Sequence, residues 1–148
     1  MTTSAGAARH RFELACDDRS ASAGCRDIAA LLRTRYGERE DMQGLELALS
    51  ELLSNIVRHG RSARRLCVRL QCRDDQVRIC LADDGPRFNM AATPARLPED
   101  RLATHGRGLW LVHELVDGFR GHHHGTLNVH GLSCRLAPAV AAQSTLTR

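Results

Sequence analysis

The chain has 148 residues, enough for one domain with its own apolar core. Hydrophobic residues at 43% and charged ones at 26% are ordinary for a globular protein, and aromatics at 3% leave the core to Leu, Val, Ile and Ala. The net charge of +4 comes from scattered arginines with no interleaved aromatics, which argues against direct nucleic-acid binding, and no apolar run approaches the ~20 residues of a membrane helix.

Residues 1–9 carry no apolar stretch and read as a flexible lead-in without a signal peptide. Arg11 to Cys16 reads as a short strand with Phe12, Leu14 and Cys16 on one face. N-cap candidates between Asp17 and Ser22 precede a first amphipathic helix marked by Ile28, Leu31, Leu32 and Tyr36 and stopped by Gly37. Glu38 to Asp41 then place acid at the start of a second helix. In that helix Met42, Leu45, Leu49, Leu52, Leu53 and Ile56 recur at three- and four-residue spacing, and His59-Gly60 ends it. Glu51 and Asn55 lie one turn apart on its flank, so a carboxylate and an amide point the same way from a buried helix.

Leu66–Cys72 and Val77–Leu81 alternate on either side of Asp74-Asp75, a hairpin pattern. The second strand runs into Asp83-Asp84-Gly85-Pro86-Arg87-Phe88. From there to His105 the periodicity is lost, and a loop this long in a compact domain tends to be a lid. Gly106-Arg107-Gly108 opens a third helix, and Phe119–Val129 with Leu132–Leu136 form a last hairpin turning at His130-Gly131. Residues 138–148 read as a frayed tail. The order β-α-α-β-β-lid-α-β-β predicts one α+β domain over residues 10–137. It is a two-layer sandwich with helices on one face of a mostly antiparallel mixed sheet.

The six cysteines form no C-x-x-C pair and read as buried thiols of a reducing cytosol. His122–His124 and His113 read as surface residues, since no other ligand type stands at metal spacing beside the cluster. The motifs that carry chemistry are E-x-x-x-N on a helix, D-x-G after a strand and G-x-G at a helix start. A strand-end Asp can accept a hydrogen bond from an exocyclic amine, a helix N-terminus attracts phosphate, and an Asn oxygen can ligate Mg²⁺. Together they point to a nucleotide.

These stretches resemble the N, G1 and G2 boxes of the GHKL-type ATPases, in Ser50–Gly60, Ala82–Phe88 and His105–Val112 respectively. Within that superfamily the chain is most similar to the anti-sigma-factor serine/threonine kinases of bacterial partner-switching systems, the RsbW type. The resemblance implies the histidine-kinase-like ATPase fold, ATP and Mg as cofactors, and Glu51 as general base toward a substrate serine. It implies Asn55 as the Mg ligand, Asp83 and Gly85 at the adenine, and Gly106, Arg107 and Gly108 around the phosphates, with Thr104 and Leu109 beside them. It further implies a cytoplasmic homodimer that phosphorylates a STAS-type anti-sigma-factor antagonist and sequesters a sigma factor, with no membrane attachment. Residues 89–105 would be mobile when empty and ordered by the γ-phosphate through Arg101, Thr104 or Arg107. The chain departs from the pattern at Arg87, where a full D-x-G-x-G has its second Gly. The alternative is a catalytically silent ATP-binding or partner-binding module. Glu51, which such a module has no need of, favours the kinase.

Overall fold

The structure is a computed structural model, and residues 6–60, 63–88 and 108–139 are described. Strand β1 spans Ala8–Leu14, helix α1 Asp18–Tyr36, helix α2 Met42–His59, β2 Leu66–Arg73, β3 Gln76–Asp83, α3 Gly108–Leu115, β4 Gly118–His124 and β5 Leu127–Arg135. The five strands form one sheet in the order β1-β2-β3-β5-β4, and each pairing is antiparallel. The expected two-layer α+β sandwich is the observed one, with a sheet that is antiparallel throughout the described strands rather than mixed. Its three helices and the inward side chains of β2, β3 and β5 share a single core.

Local chemistry sets the boundaries. Asp17 caps α1 by accepting from the Ser20 backbone N–H at 2.7 Å. Gly37 ends α1 at φ 70°, where its N–H reaches the Arg33 carbonyl at 2.8 Å. The acid before α2 is used differently from the expectation, because the first turn of α2 holds none of it. Asp41 instead accepts from the Ala137 N–H at 2.9 Å, tying the end of the described chain to the start of α2, and Glu38 pairs with Arg33. The first hairpin turns at Asp74-Asp75 as expected, with Asp74 at φ 51°.

Two parts of the sheet, β1 and the last hairpin, differ from their sequence reading. β1 begins earlier, at Ala8, and Cys16 lies beyond it. The last hairpin does not turn at His130-Gly131. It turns between His124 and Leu127, where Gly125 has φ 60°, and His130 and Gly131 sit inside β5, paired with Leu81 and Cys80. His-Gly resembles a turn in isolation, but Gly125 and Thr126 form a tighter connection that lets Asn128, His130, Leu132 and Cys134 all face the core. All six cysteines are free; Cys25, Cys72 and Cys134 are buried and the others half-buried. Burial pushes the Cys25 and Cys134 thiols up to about 11, so neither is a ready nucleophile.

Candidate functional site

The candidate site runs along α2, with the start of α3 against Glu51 and the loop after β3 against Gly60. The core stripe of α2 buries Leu45, Leu49, Leu52 and Ile56 completely or nearly so. Asn55 is pulled in beside them at 9% exposure, while Glu51, one turn back, stays half-buried. Gly60 closes α2 with its N–H on the Ile56 carbonyl at 2.7 Å.

Two close approaches bring the three motifs together. A Cβ at Gly85 would stand 2.9 Å from Asp83 Oδ1 and 3.1 Å from Gly60 Cα, so the strand-end loop passes tightly against the end of α2 where position 85 has no side chain. A Cβ at Gly108 would overlap Glu51 Oε2, so the start of α3 lies directly on the Glu51 carboxylate. Gly44 receives Leu115 from α3 in the same way, which docks the far end of that helix on α2. Leu109, at the next position of α3, is half-buried against the core. Thr104, Gly106, Arg107 and the expected lid, 89–105, lie outside the described residues, so of the residues expected around phosphates only Gly108 and Leu109 are described.

The two adjacent aspartates have separate tasks. Asp83 points inward from β3 at 4% exposure. Its Oδ1 accepts from the Gly85 N–H and from Asn128 Nδ2, each at 3.0 Å, and Oδ2 takes no hydrogen bond among the described residues. Asp84 points outward and accepts from the backbone N–H groups of Arg64 and Arg65 at 2.8 and 3.0 Å. Those amides, that of Arg65 foremost, hold its carboxyl below the usual carboxylate range.

Asn128 is a site residue that sequence reasoning missed. It is 3% exposed on β5 and spends its whole amide on this loop. Nδ2 donates to Asp83 Oδ1 and to the Pro86 carbonyl at 2.8 Å, while Oδ1 accepts from the Phe88 N–H at 3.0 Å. The signal for it was an inward polar pair, Asn128 and His130, in an otherwise apolar alternation, and the misplaced turn concealed it. Phe88 itself stacks on His59 with ring centroids 4.4 Å apart. Behind that stack Ile56, Gly60, Asp83, Pro86, Asn128 and His130 line a slot of about 10 Å³. His130 is 1% exposed, and burial lowers its pKa against a weaker opposing pull from Asp83.

A purine fits this donor set. Asp83 keeps one carboxylate oxygen for an exocyclic amine, Gly85 offers bare backbone, and Ile56 with Phe88 offers apolar faces. With Phe88 stacked on His59 the slot itself is smaller than a ring. For a divalent ion, no group of three His, Cys, Asp or Glu gathers among the described residues, so the Asn55 oxygen would need phosphate oxygens to complete the shell, as Mg²⁺ commonly has it.

Residues 14–130 match the family described as histidine kinase-like ATPase domain. The chain is similar to the serine-protein kinase RsbW of Bacillus mycoides, 28% identical over 87 residues that cover 53% of this chain and 54% of the relative. It is similar to RsbW of Bacillus licheniformis, 32% identical over 91 residues covering 55% and 57%, and of Bacillus subtilis, 27% identical over 113 residues covering 69% and 68%. The first of these matches thus spans only about half the length of its relative. A solved structure of the RsbU and RsbW domains of a Mycobacterium tuberculosis protein superposes with a TM-score of 0.62 at 19% identity, covering 90% of this chain and 35% of that one, which is a likeness of fold.

Proposed function

This chain belongs to the histidine kinase-like ATPase family, and from that membership we propose that it is an Mg·ATP-dependent protein serine kinase and anti-sigma factor of a bacterial partner-switching system. The observation that supports the reading is that α2, which carries Glu51 and Asn55, is met by both glycine motifs: Gly108 sits on the Glu51 carboxylate, and Gly85 beside Asp83 packs against Gly60. Bound Mg·ATP would supply the phosphoryl group and the charge neutralisation. The chain's own part is positioning, which is most of what phosphoryl transfer asks of a protein. Glu51 takes the proton from a substrate serine hydroxyl, and the Asn55 amide oxygen holds the ion. Asp83 Oδ2 accepts from the adenine amine, with Asn128 fixing the carboxylate plane through Oδ1. On this reading Thr104, Gly106, Arg107, Gly108 and Leu109 would contribute to phosphate binding.

The substrate on this reading is a STAS-type anti-sigma-factor antagonist, and the sequestered partner is a sigma factor. The curated relatives named serine-protein kinase RsbW support that choice. We assign the protein to the cytoplasm as a homodimer. No helix among the described residues is long and apolar enough to cross a membrane. The test is transfer of labelled phosphate from ATP to a serine of the antagonist, with Asn55→Ala expected to abolish Mg-dependent nucleotide binding. A folded protein that binds neither ATP nor ADP in titration calorimetry would overturn the reading. The second reading, a silent regulatory module, is favoured by the Phe88–His59 stack that narrows the slot to about 10 Å³ and by Arg87 in the loop. Nucleotide binding without transfer would select it.

A further inference from the structure

All three helices sit on one side of the sheet, and among the described residues the other side is uncovered. Its make-up is not that of a plain solvated surface. Seven exposed arginines project from it, two each from β1 and β2 and one each from β3, β4 and β5. The strands place a single carboxylate among them, Glu13, which is already paired with Arg11. Beyond the strands, Asp117 lines the rim and Asp75 pairs with Arg135, so arginines outnumber carboxylates here by seven to three.

The register gives the face a shape. One transverse row runs Arg11, Arg69, Cys80, Gly131, Arg120 across all five strands. The long side chains stand at the outside and the smallest in the middle. The next row, Glu13, Cys67, Ala82, Val129 and His122, continues the same low, apolar floor. The result is a trough holding two adjoining hollows of about 1070 and 810 Å³ that share Arg11, Arg69 and Cys80. From Arg69 on β2 to Arg120 on β4 is three strand spacings, about 14 Å. That is wide enough for one α-helix, about 10–12 Å across with its side chains.

We propose that this trough docks an amphipathic helix of a partner protein, its apolar stripe on the Cys80–Ala82–Val129 floor and acidic residues along both edges against the arginine walls. Such a helix would complete a third layer on a sheet that is covered on one side only. Charge excludes a second copy laid face to face, since seven arginines would meet seven. A nucleic acid is the poorer occupant. The outward strand positions offer no Phe, Tyr or Trp for base stacking, and the floor is apolar where a backbone groove is polar. The inference stands apart from the nucleotide reading, because the trough lies on the opposite side of the sheet from α2 and α3.

The test is fluorescence anisotropy with a labelled helical peptide that has leucines on one face and glutamates on both flanks. Beside it run a scrambled peptide of the same composition and a single-stranded oligonucleotide of the same charge. The ordered peptide should bind, weaken as salt rises, and lose at least about tenfold in affinity with Arg69→Ser, Arg78→Ser and Arg120→Ser combined. A control that removes Arg19 and Arg26 from α1 should bind within about twofold of the parent. Equal thermal melting of all variants shows that folding is not the cause. The proposal fails if the ordered peptide does not bind, if the scrambled peptide binds as well, or if the oligonucleotide binds more tightly. It also fails if sedimentation shows self-association that the triple substitution abolishes.

Discussion

Along β2 and β3, Leu66, Val68, Leu70, Val77, Ile79 and Leu81 are sealed against the helices at 1% exposure or less. One residue along the same strands, Arg69, Arg73 and Arg78 stand in solvent around Cys67, Cys80 and Ala82. The pleat separates the two sets by alternation alone. One side holds the core and, at its end, the polar groups of the site: Asp83, Asn128 and His130 belong to the inward series. The other side holds charge and a floor of small side chains. A polar residue on the inward side must therefore be satisfied by a named partner, whereas one on the outward side is free to meet another molecule.

Chemistry should be confined to the inward side, and the sharpest way to break that statement is Glu51→Gln. It should lower phosphoryl transfer by about 10²–10⁴-fold with nucleotide affinity kept, while Arg69→Ser should leave nucleotide affinity as it is. Full transfer by the Gln variant would show that Glu51 serves structure only. The next contrast is energetic. Ile79→Ala should cost about 2–5 kcal/mol in urea unfolding and Arg78→Ala, its neighbour, under about 0.5 kcal/mol. Comparable costs would mean that the outer face is buried in solution.

Asn128→Ala probes the polar end of the inward side. It removes one of the two donors to Asp83 Oδ1 and the acceptor of the Phe88 N–H, and should cost about 1–3 kcal/mol. Nucleotide affinity should fall with it, because Asp83 loses its fixed plane. Unchanged affinity at reduced stability would assign Asn128 to folding alone.

The smallest effect is a pH dependence from His130. Burial lowers its pKa below the ordinary 6.5, with His123 and His122 adding to that and Asp83 opposing it. The unfolded chain then binds the proton more readily than the folded one. The contribution to stability is full above about pH 6.5 and is lost as pH falls through that value toward the folded pKa. The melting temperature should drop by a few degrees from pH 7.5 to 5.5, and His130→Phe should flatten that slope. An unaltered slope would place the titration at another group.

Helices α1 and α2 were legible because their signals are local. Apolar spacing, the Asp17 cap and the stops at Gly37 and Gly60 all act within one or two turns of chain. The β2–β3 hairpin was legible for the same reason, since two acidic residues between alternating runs leave one register. Glu51, Asn55, Asp83 and Gly85 could be named from the motifs and their order, and their roles from the family they resemble. What the chain order could not show is that β5 enters between β3 and β4, which puts Asn128 opposite Asp83 across 45 residues. It also could not show that arginines read as scattered would line one trough, because Arg11, Arg69 and Arg120 fall on one transverse row only when four pairings share one register. Local conformation follows from forces between residues a turn apart. Which distant strands pair is decided by the apolar surface they bury together, and that surface exists only once the sheet and its helices have closed.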